Sequence, residues 1–176
     1  NELIDASVLY LEGKPFELYP DFPTAGIMDV AGYNDGMRGG RIKVRARIAQ
    51  KDKSTLVITE IPFGTTTSSL IDSILKANEK GKIKVLKVDD NTAKDVEILV
   101  HLPKGISPDK TIDALYAFTD CETSISPLCC VIEGNKPLFI GVSDILKKST
   151  DRTVDILKRE LEVQLDDLQQ KWHNAS

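Results

Sequence analysis

Residues 41–48 read Arg41-Ile42-Lys43-Val44-Arg45-Ala46-Arg47-Ile48. Odd positions are basic and even positions are apolar. A period of two is the strand period, because successive side chains leave opposite faces of a strand. Ile42, Val44, Ala46 and Ile48 therefore point toward a core. Arg41, Lys43, Arg45 and Arg47 point the other way, side by side. Four cations on one face repel one another, so nearby carboxylates or an external polyanion must offset them.

The neighbouring sequence builds a hairpin around this row. Lys51-Asp52-Lys53-Ser54 is a turn, residues 55–61 are the returning strand, and Pro62 ends it. The returning strand holds one carboxylate, Glu60, so a cross-strand ladder of opposite charges within the hairpin is not available. Upstream, Tyr33-Asn34-Asp35-Gly36 and Gly39-Gly40 are turn signals, and residues 27–30 form a short strand or a helix start. Residues 14–25 are a proline-rich extended loop, pinned by Phe16, Tyr19 and Phe22. Leu3, Ile4, Val8 and Leu11 fall at helical spacing before Gly13 and predict a short amphipathic helix.

Downstream, residues 65–80 predict a helix capped by Thr66, Thr67 or Ser68 and closed by Gly81. Residues 84–88 predict a strand, Asp89-Asp90-Asn91 a turn, 96–102 a central strand and 109–118 a second helix. Residues 128–132 and 138–140 predict another hairpin, placing Cys129 and Cys130 in an apolar strand with one of them facing the core. From Val142 the pattern changes. Val154, Leu157, Leu161, Leu165, Leu168 and Trp172 are spaced for a long helix with one apolar stripe. Nothing later in the sequence covers that stripe, so a partner or further sequence is expected to cover it. The fold class that follows is α+β: a two-layer sandwich of a mostly antiparallel sheet with helices on one face, then a long C-terminal helix.

Composition narrows the function. With 176 residues, 41% apolar and 28% charged, the chain is a globular domain rather than a disordered one. No apolar run approaches the roughly 20 residues that span a bilayer. The three cysteines lack metal-site spacing, and free thiols suggest a reducing, cytoplasmic location. The net charge of −4 hides a segregation: residues 36–53 carry seven Lys and Arg against Asp52, a local +6, which leaves −10 elsewhere. A local patch, not the total, sets what a surface attracts. Arg38, Arg41, Lys43, Arg45, Arg47, Lys51 and Lys53 are the candidate binding residues. Asp95 and Glu97 could neutralise part of the row. The acid-poor hairpin tip and a second cluster, Lys80, Lys82, Lys84 and Lys87, favour a polyanion. No aromatics alternate with the cations, which favours duplex backbone contact over single-strand stacking.

Catalysis has no candidates. A nucleophilic cysteine needs a base, and the histidines are His101, in a strand pattern, and His173, near the chain end. Tyr10, Tyr19, Tyr33 and Tyr116 read as packing residues. Gly36, Gly39 and Gly40 precede a strand, with no Gly-Lys-Ser/Thr following, and so form no phosphate loop. No catalytic, cofactor-binding or metal-binding residue is expected.

Three motifs in order carry a resemblance: Pro20-Asp21-Phe22-Pro23-Thr24, then Gly39-Gly40-Arg41-Ile42-Lys43-Val44-Arg45-Ala46, then Glu60-Ile61-Pro62. The chain resembles the A subunit of bacterial type IIA topoisomerases, DNA gyrase and topoisomerase IV, over essentially its whole length. It departs in Arg38-Gly39-Gly40-Arg41, where the family usually has Arg-x-Gly-Arg-Gly. It departs again in Lys87-Val88-Asp89-Asp90-Asn91-Thr92, where relatives often carry Arg-Asp-Glu-Ser. The resemblance implies a tower-like domain over 1–143 and the start of a coiled-coil helix over 144–176. It also implies double-stranded DNA, a homodimer of A subunits and a B subunit holding ATP and Mg as partners, with no membrane. The DNA-cleaving tyrosine would lie in a preceding winged-helix domain, leaving this stretch inactive alone. A stand-alone nucleic-acid-binding module and a helix-mediated oligomerisation scaffold are the alternatives.

Overall fold

A computed structural model describes residues 1–175. Their contacts form two compact units, one of residues 20–33 and 39–127, the other of residues 1–19, 34–38 and 128 onward.

The first unit is a strand-rich body. Its elements are β1 (Ile27–Asp29), β2 (Ile42–Arg45), β3 (Arg47–Asp52), β4 (Thr55–Glu60), α2 (Thr67–Glu79), β5 (Lys87–Asp90), β6 (Ile98–His101), α3 (Pro108–Phe118) and β7 (Glu122–Ile125). Every strand pairing is antiparallel. One sheet runs β3-β4-β6-β5 and another β1-β2-β7. Leu56, Ile58, Ile98 and Val100 leave one face of the larger sheet and pack with Leu70, Ile74 and Ala77 of α2 and Leu115 of α3. The α+β class, with helices on one sheet face, is what the structure shows. Each of the Leu, Ile and Val side chains among these contributes roughly 1.5–3 kcal/mol of burial.

Local chemistry sets the helix ends. The Thr66 hydroxyl accepts from the Ser69 N–H at 3.1 Å, and the Ser69 hydroxyl accepts from the Thr66 N–H at 2.9 Å, a reciprocal cap. Gly81, at φ +67°, lets the Lys82 N–H reach back to the Ala77 carbonyl and close the helix. Pro108 opens α3, where its missing N–H costs nothing.

Several expected elements are corrected. The stretch 41–49 is not one strand: it breaks at Ala46, with β2 in one sheet and β3 in the other. The strand expected at 84–88 lies at Lys87–Asp90, so Asp89 and Asp90 are strand residues rather than a turn. His101 bridges Asp89 and Thr55, with Nε2 at 2.9 Å from the Asp89 carboxylate. Strand β7 has no counterpart in the sequence reading.

The second unit contains α1 (Glu2–Leu11), the hairpin β8 (Val131–Glu133) and β9 (Lys136–Leu138), and α4 (Val142–Ala175). Helix α1 meets α4 through Ser7, whose hydroxyl accepts from Thr150 at 3.1 Å, and Tyr10, whose hydroxyl donates to Asp151. Ala6 is its buried residue, whereas Leu3, Ile4, Val8 and Leu11 are exposed, opposite to the expected facing. Cys129 and Cys130 precede β8 and neither is buried; the core cysteine is Cys121, in the first unit.

Candidate nucleic-acid interface

The basic row keeps its period of two across the break at Ala46. Ile42, Val44 and Ala46 are buried, Ile48 is half-buried, Arg41, Arg45 and Arg47 are exposed and Lys43 is half-exposed. The break is held by Ala46 itself. Its N–H donates to the Cys121 carbonyl at 2.7 Å, and its carbonyl accepts from the Tyr116 hydroxyl at 2.8 Å. The Arg45 guanidinium lies 5.0 Å from the centroid of the Tyr116 ring, a cation–π distance.

Carboxylates from three neighbouring strands meet the row, one of them Asp29 of β1, which pairs in register with Lys43. Glu122 of β7 stands opposite Arg45 in register and accepts from its Nε at 2.6 Å. The same carboxylate lies 3.5 Å from Lys43 Nζ. Glu60 of β4 lies 3.0 Å from Arg47 Nε and also accepts from the Gly26 N–H at 2.8 Å. That last bond requires a close approach: Gly26 has φ +96°, and a Cβ on it would lie 2.8 Å from the Arg45 carbonyl oxygen.

A bulge puts Glu60 on this side. Ile48 pairs with Ile58 but Arg47 pairs with Glu60, so Thr59 is a surplus residue on β4. Without it, Arg47 would face Thr59, and Glu60 would share the buried face of Ile58. The Glu60 and Glu122 carboxyls both titrate below the usual range. For Glu60 the Gly26 N–H is the main cause, followed by the Arg47 hydrogen bond. For Glu122 partial burial pushes upward, and the Arg45 hydrogen bond with the Arg45 and Lys43 charges outweighs it. Exposed pairs of this kind contribute about 0–1 kcal/mol each, so their main effect is to orient the cations.

The other candidates sit apart from these pairs. Lys51, the surplus residue of a second irregularity in β3, reaches Glu97 at 3.3 Å. Among the described residues, Arg41 and Lys53 take part in no ion pair; Arg41 is anchored by its backbone, its N–H donating to the Gly32 carbonyl at 2.7 Å. Arg38 belongs to the other unit, where it lines an apolar cavity of about 490 Å³ with Met37, Leu128, Cys129, Phe139 and Ile140. It too has no ion pair among the described residues. Glu122 is the site residue that sequence reasoning missed. Its signal was the alternation Cys121-Glu122-Thr123-Ser124-Ile125, too short and too polar to mark a strand.

A row of strand cations, less than fully matched by carboxylates and set between two sheets, coincides with a family match over the whole length. The family model of the DNA gyrase/topoisomerase IV A subunit matches residues 1–176. The chain belongs to that family. It is 43% identical over 164 residues to the A subunit of DNA topoisomerase 4 from Borreliella burgdorferi, covering 93% of this chain and 26% of the relative. It is 31% identical to the DNA gyrase A subunit of Lawsonia intracellularis, covering 88% and 20%, and 26% identical to that of Brachyspira hyodysenteriae, covering 98% and 23%. The chain thus spans about a quarter or less of the length of these relatives.

Within this stretch of the gyrase/topoisomerase IV family, the core thiol is shielded. Burial raises the Cys121 thiol to about 11, which suppresses the thiolate. The phenols of Tyr10 and Tyr116 are raised as well, the first by its bond to Asp151 and the second by burial. No three His, Cys, Asp or Glu among the described residues converge where a metal ion could sit. No described helix is long and apolar enough to cross a membrane.

Proposed function

We propose that this chain is the tower-like part of the DNA-gate subunit of a type IIA topoisomerase and grips duplex DNA arms through phosphates. The parent, an ATP-dependent enzyme of the cytoplasm, cleaves, passes and religates DNA elsewhere in its structure. One observation carries this reading: Lys43 and Arg45 share the single carboxylate of Glu122, while Arg41 beside them has no acidic partner among the described residues. With Asp29 across from Lys43 counted beside Glu122 and Glu60, four cations face three carboxylates, so the row retains positive charge that a phosphate backbone complements. Such contacts carry little sequence information. Lys51 and Lys53 would extend the grip, and Arg38, on the other unit, would make a phosphate contact of its own.

The cleaving tyrosine would lie outside this chain. ATP and Mg would be held by a partner B subunit, and no step here runs through them. Residues 144–176 would begin a coiled coil within a dimer of A subunits.

The test is Arg45→Glu with Arg47→Glu in the full-length protein, measured as duplex affinity across a salt titration. Affinity at about 0.1 M salt should fall at least tenfold, and the slope of log K against log salt should drop by about two. Wild-type affinity and slope would refute the grip.

A second reading, self-association through α4 alone, is favoured by its exposed stripe, Leu157, Leu161, Leu165 and Leu168. Sedimentation with and without duplex separates the two: a scaffold associates and ignores DNA.

A further inference from the structure

The turn Asn34–Gly36 is left-handed throughout, with φ +51° at Asn34, +51° at Asp35 and +74° at Gly36. Left-handed backbone is disfavoured for any side-chain-bearing residue, least for Asn and Asp, and here two stand in succession. Strain of this kind persists only where surrounding contacts enforce it. Those contacts are at the start of α4. The Asp35 carboxylate accepts from the Ser143 N–H at 3.2 Å and from the Ser143 hydroxyl at 2.9 Å. Ser143 lies in the first turn of α4, where backbone donors have no partner within the helix. The cap is supplied from 108 residues away, since Gly141, just before the helix, has no side chain to offer.

Gly141 is not in the left-handed region, so its backbone would accept another residue. Space excludes one: a Cβ there would run into the Asp35 carboxylate. On its other side the turn is held by the Cys129 N–H, which donates to the Gly36 carbonyl at 2.9 Å. Two residues beyond the turn stands Arg38, between Gly36 and Gly39, its carbonyl accepting from the Asn34 side-chain amide at 3.5 Å, so the turn itself holds this residue. Arg38 is one of the candidate cations without an ion pair among the described residues.

We propose that Asp35 is a positioning residue for DNA engagement. It ties the N-terminus of α4 to the turn that delivers Arg38, so the start of α4 governs how this cation meets a phosphate backbone. This inference rests on the duplex-gripping reading. Holding a glycine-flanked segment in its binding geometry removes an ordering cost from association. Releasing it therefore lowers affinity and also drops a phosphate contact.

The experiment compares Asp35→Ala, Asp35→Asn, Gly141→Ala and the double variant Asp35→Ala/Gly141→Ala, all in the full-length protein. Each is measured by thermal melting and by duplex affinity against salt. Asp35→Ala should weaken binding about fivefold and lower the salt slope by about one, the loss of one phosphate contact. Asp35→Asn, which tolerates the left-handed turn and still accepts a hydrogen bond, should recover most of both. Gly141→Ala should reproduce the loss. In the Asp35→Ala background it should add nothing, because the collision is gone. A cap of purely structural value lowers the melting temperature and leaves the slope alone; that result, or full additivity of the two substitutions, overturns the proposal. Should Asp35→Ala not fold, Gly141→Ala and Asp35→Asn decide by the same slopes. If Arg45→Glu/Arg47→Glu leaves binding intact, the duplex reading fails and takes this one with it. If that pair weakens binding but the Asp35 and Gly141 variants keep the wild-type slope, only this inference fails.

Discussion

The two units use the same apolar code to opposite ends. In the strand-rich unit, Leu56, Ile58, Leu70, Ile74, Ile98, Val100 and Leu115 are fully buried, because a sheet face and two helices each bring an apolar surface to one place. In the helical unit, α4 has a stripe just as regular, yet Leu161 remains 64% exposed and Leu157, Leu165 and Leu168 are similar. Periodicity states which face seeks cover. Whether cover exists depends on a second apolar surface within reach. The first unit contains its own; the distal part of α4 has none among the described residues.

Core truncation should break the symmetry between the units most sharply. Leu56→Ala removes a side chain packed against α2 and should cost about 2–5 kcal/mol in thermal or denaturant unfolding. A loss below about 1 kcal/mol would mean the first unit's core is not closed as described. Next comes pH. Glu60 and Glu122 have folded pKa values below their unfolded ones, so the stability they add is present above the ordinary carboxylate range, near 4.3, and is lost as pH falls through the folded values. Melting temperature should decline from about pH 5 toward pH 3. Glu60→Gln should flatten that decline and cost about 1 kcal/mol or less at pH 7. An unchanged acid limb would show that Glu60 is not linked to folding. The smallest effect belongs to α4: Leu161→Ala with Leu165→Ala should change unfolding of this chain by no more than about 0.5 kcal/mol. A larger loss would reveal cover for the stripe within the chain.

The alternation at 41–48 was legible because burial on one face and charge on the other enforce a strict period of two. The helices at α2 and α3 were legible through their caps and their 3.6-residue spacing. The break at Ala46 was not, because a strand that leaves one sheet and enters another keeps its side-chain alternation unbroken. Strand β5 was misplaced by three residues since Lys84, Lys87 and the neighbouring acids mark no face. The neutralising partners divide in the same way. Glu60 was visible as the sole acid of the return strand, but the Thr59 bulge that aims it at Arg47 leaves no trace in composition. Glu122 arrives from a strand 77 residues away from Arg45, and no local pattern announces so distant a neighbour. The facing of α1 failed for another reason: small Ala6 allows close helix contact, while the larger residues point away.

The surplus residue at Thr59 works as a phase shifter. Upstream of it β4 presents Leu56 and Ile58 to the core; beyond it the strand resumes half a period out of step. A shortened version of this hairpin lacking Thr59 would still have a plausible strand sequence. With the surplus residue gone, Ile58, Glu60 and Ile61 would alternate inward, outward and inward without a bulge, and Glu60 would still stand across from Arg47. A one-residue deletion here should therefore be better tolerated than one at a matched position of the same strand, such as Val57, where every following side chain would turn to the other face.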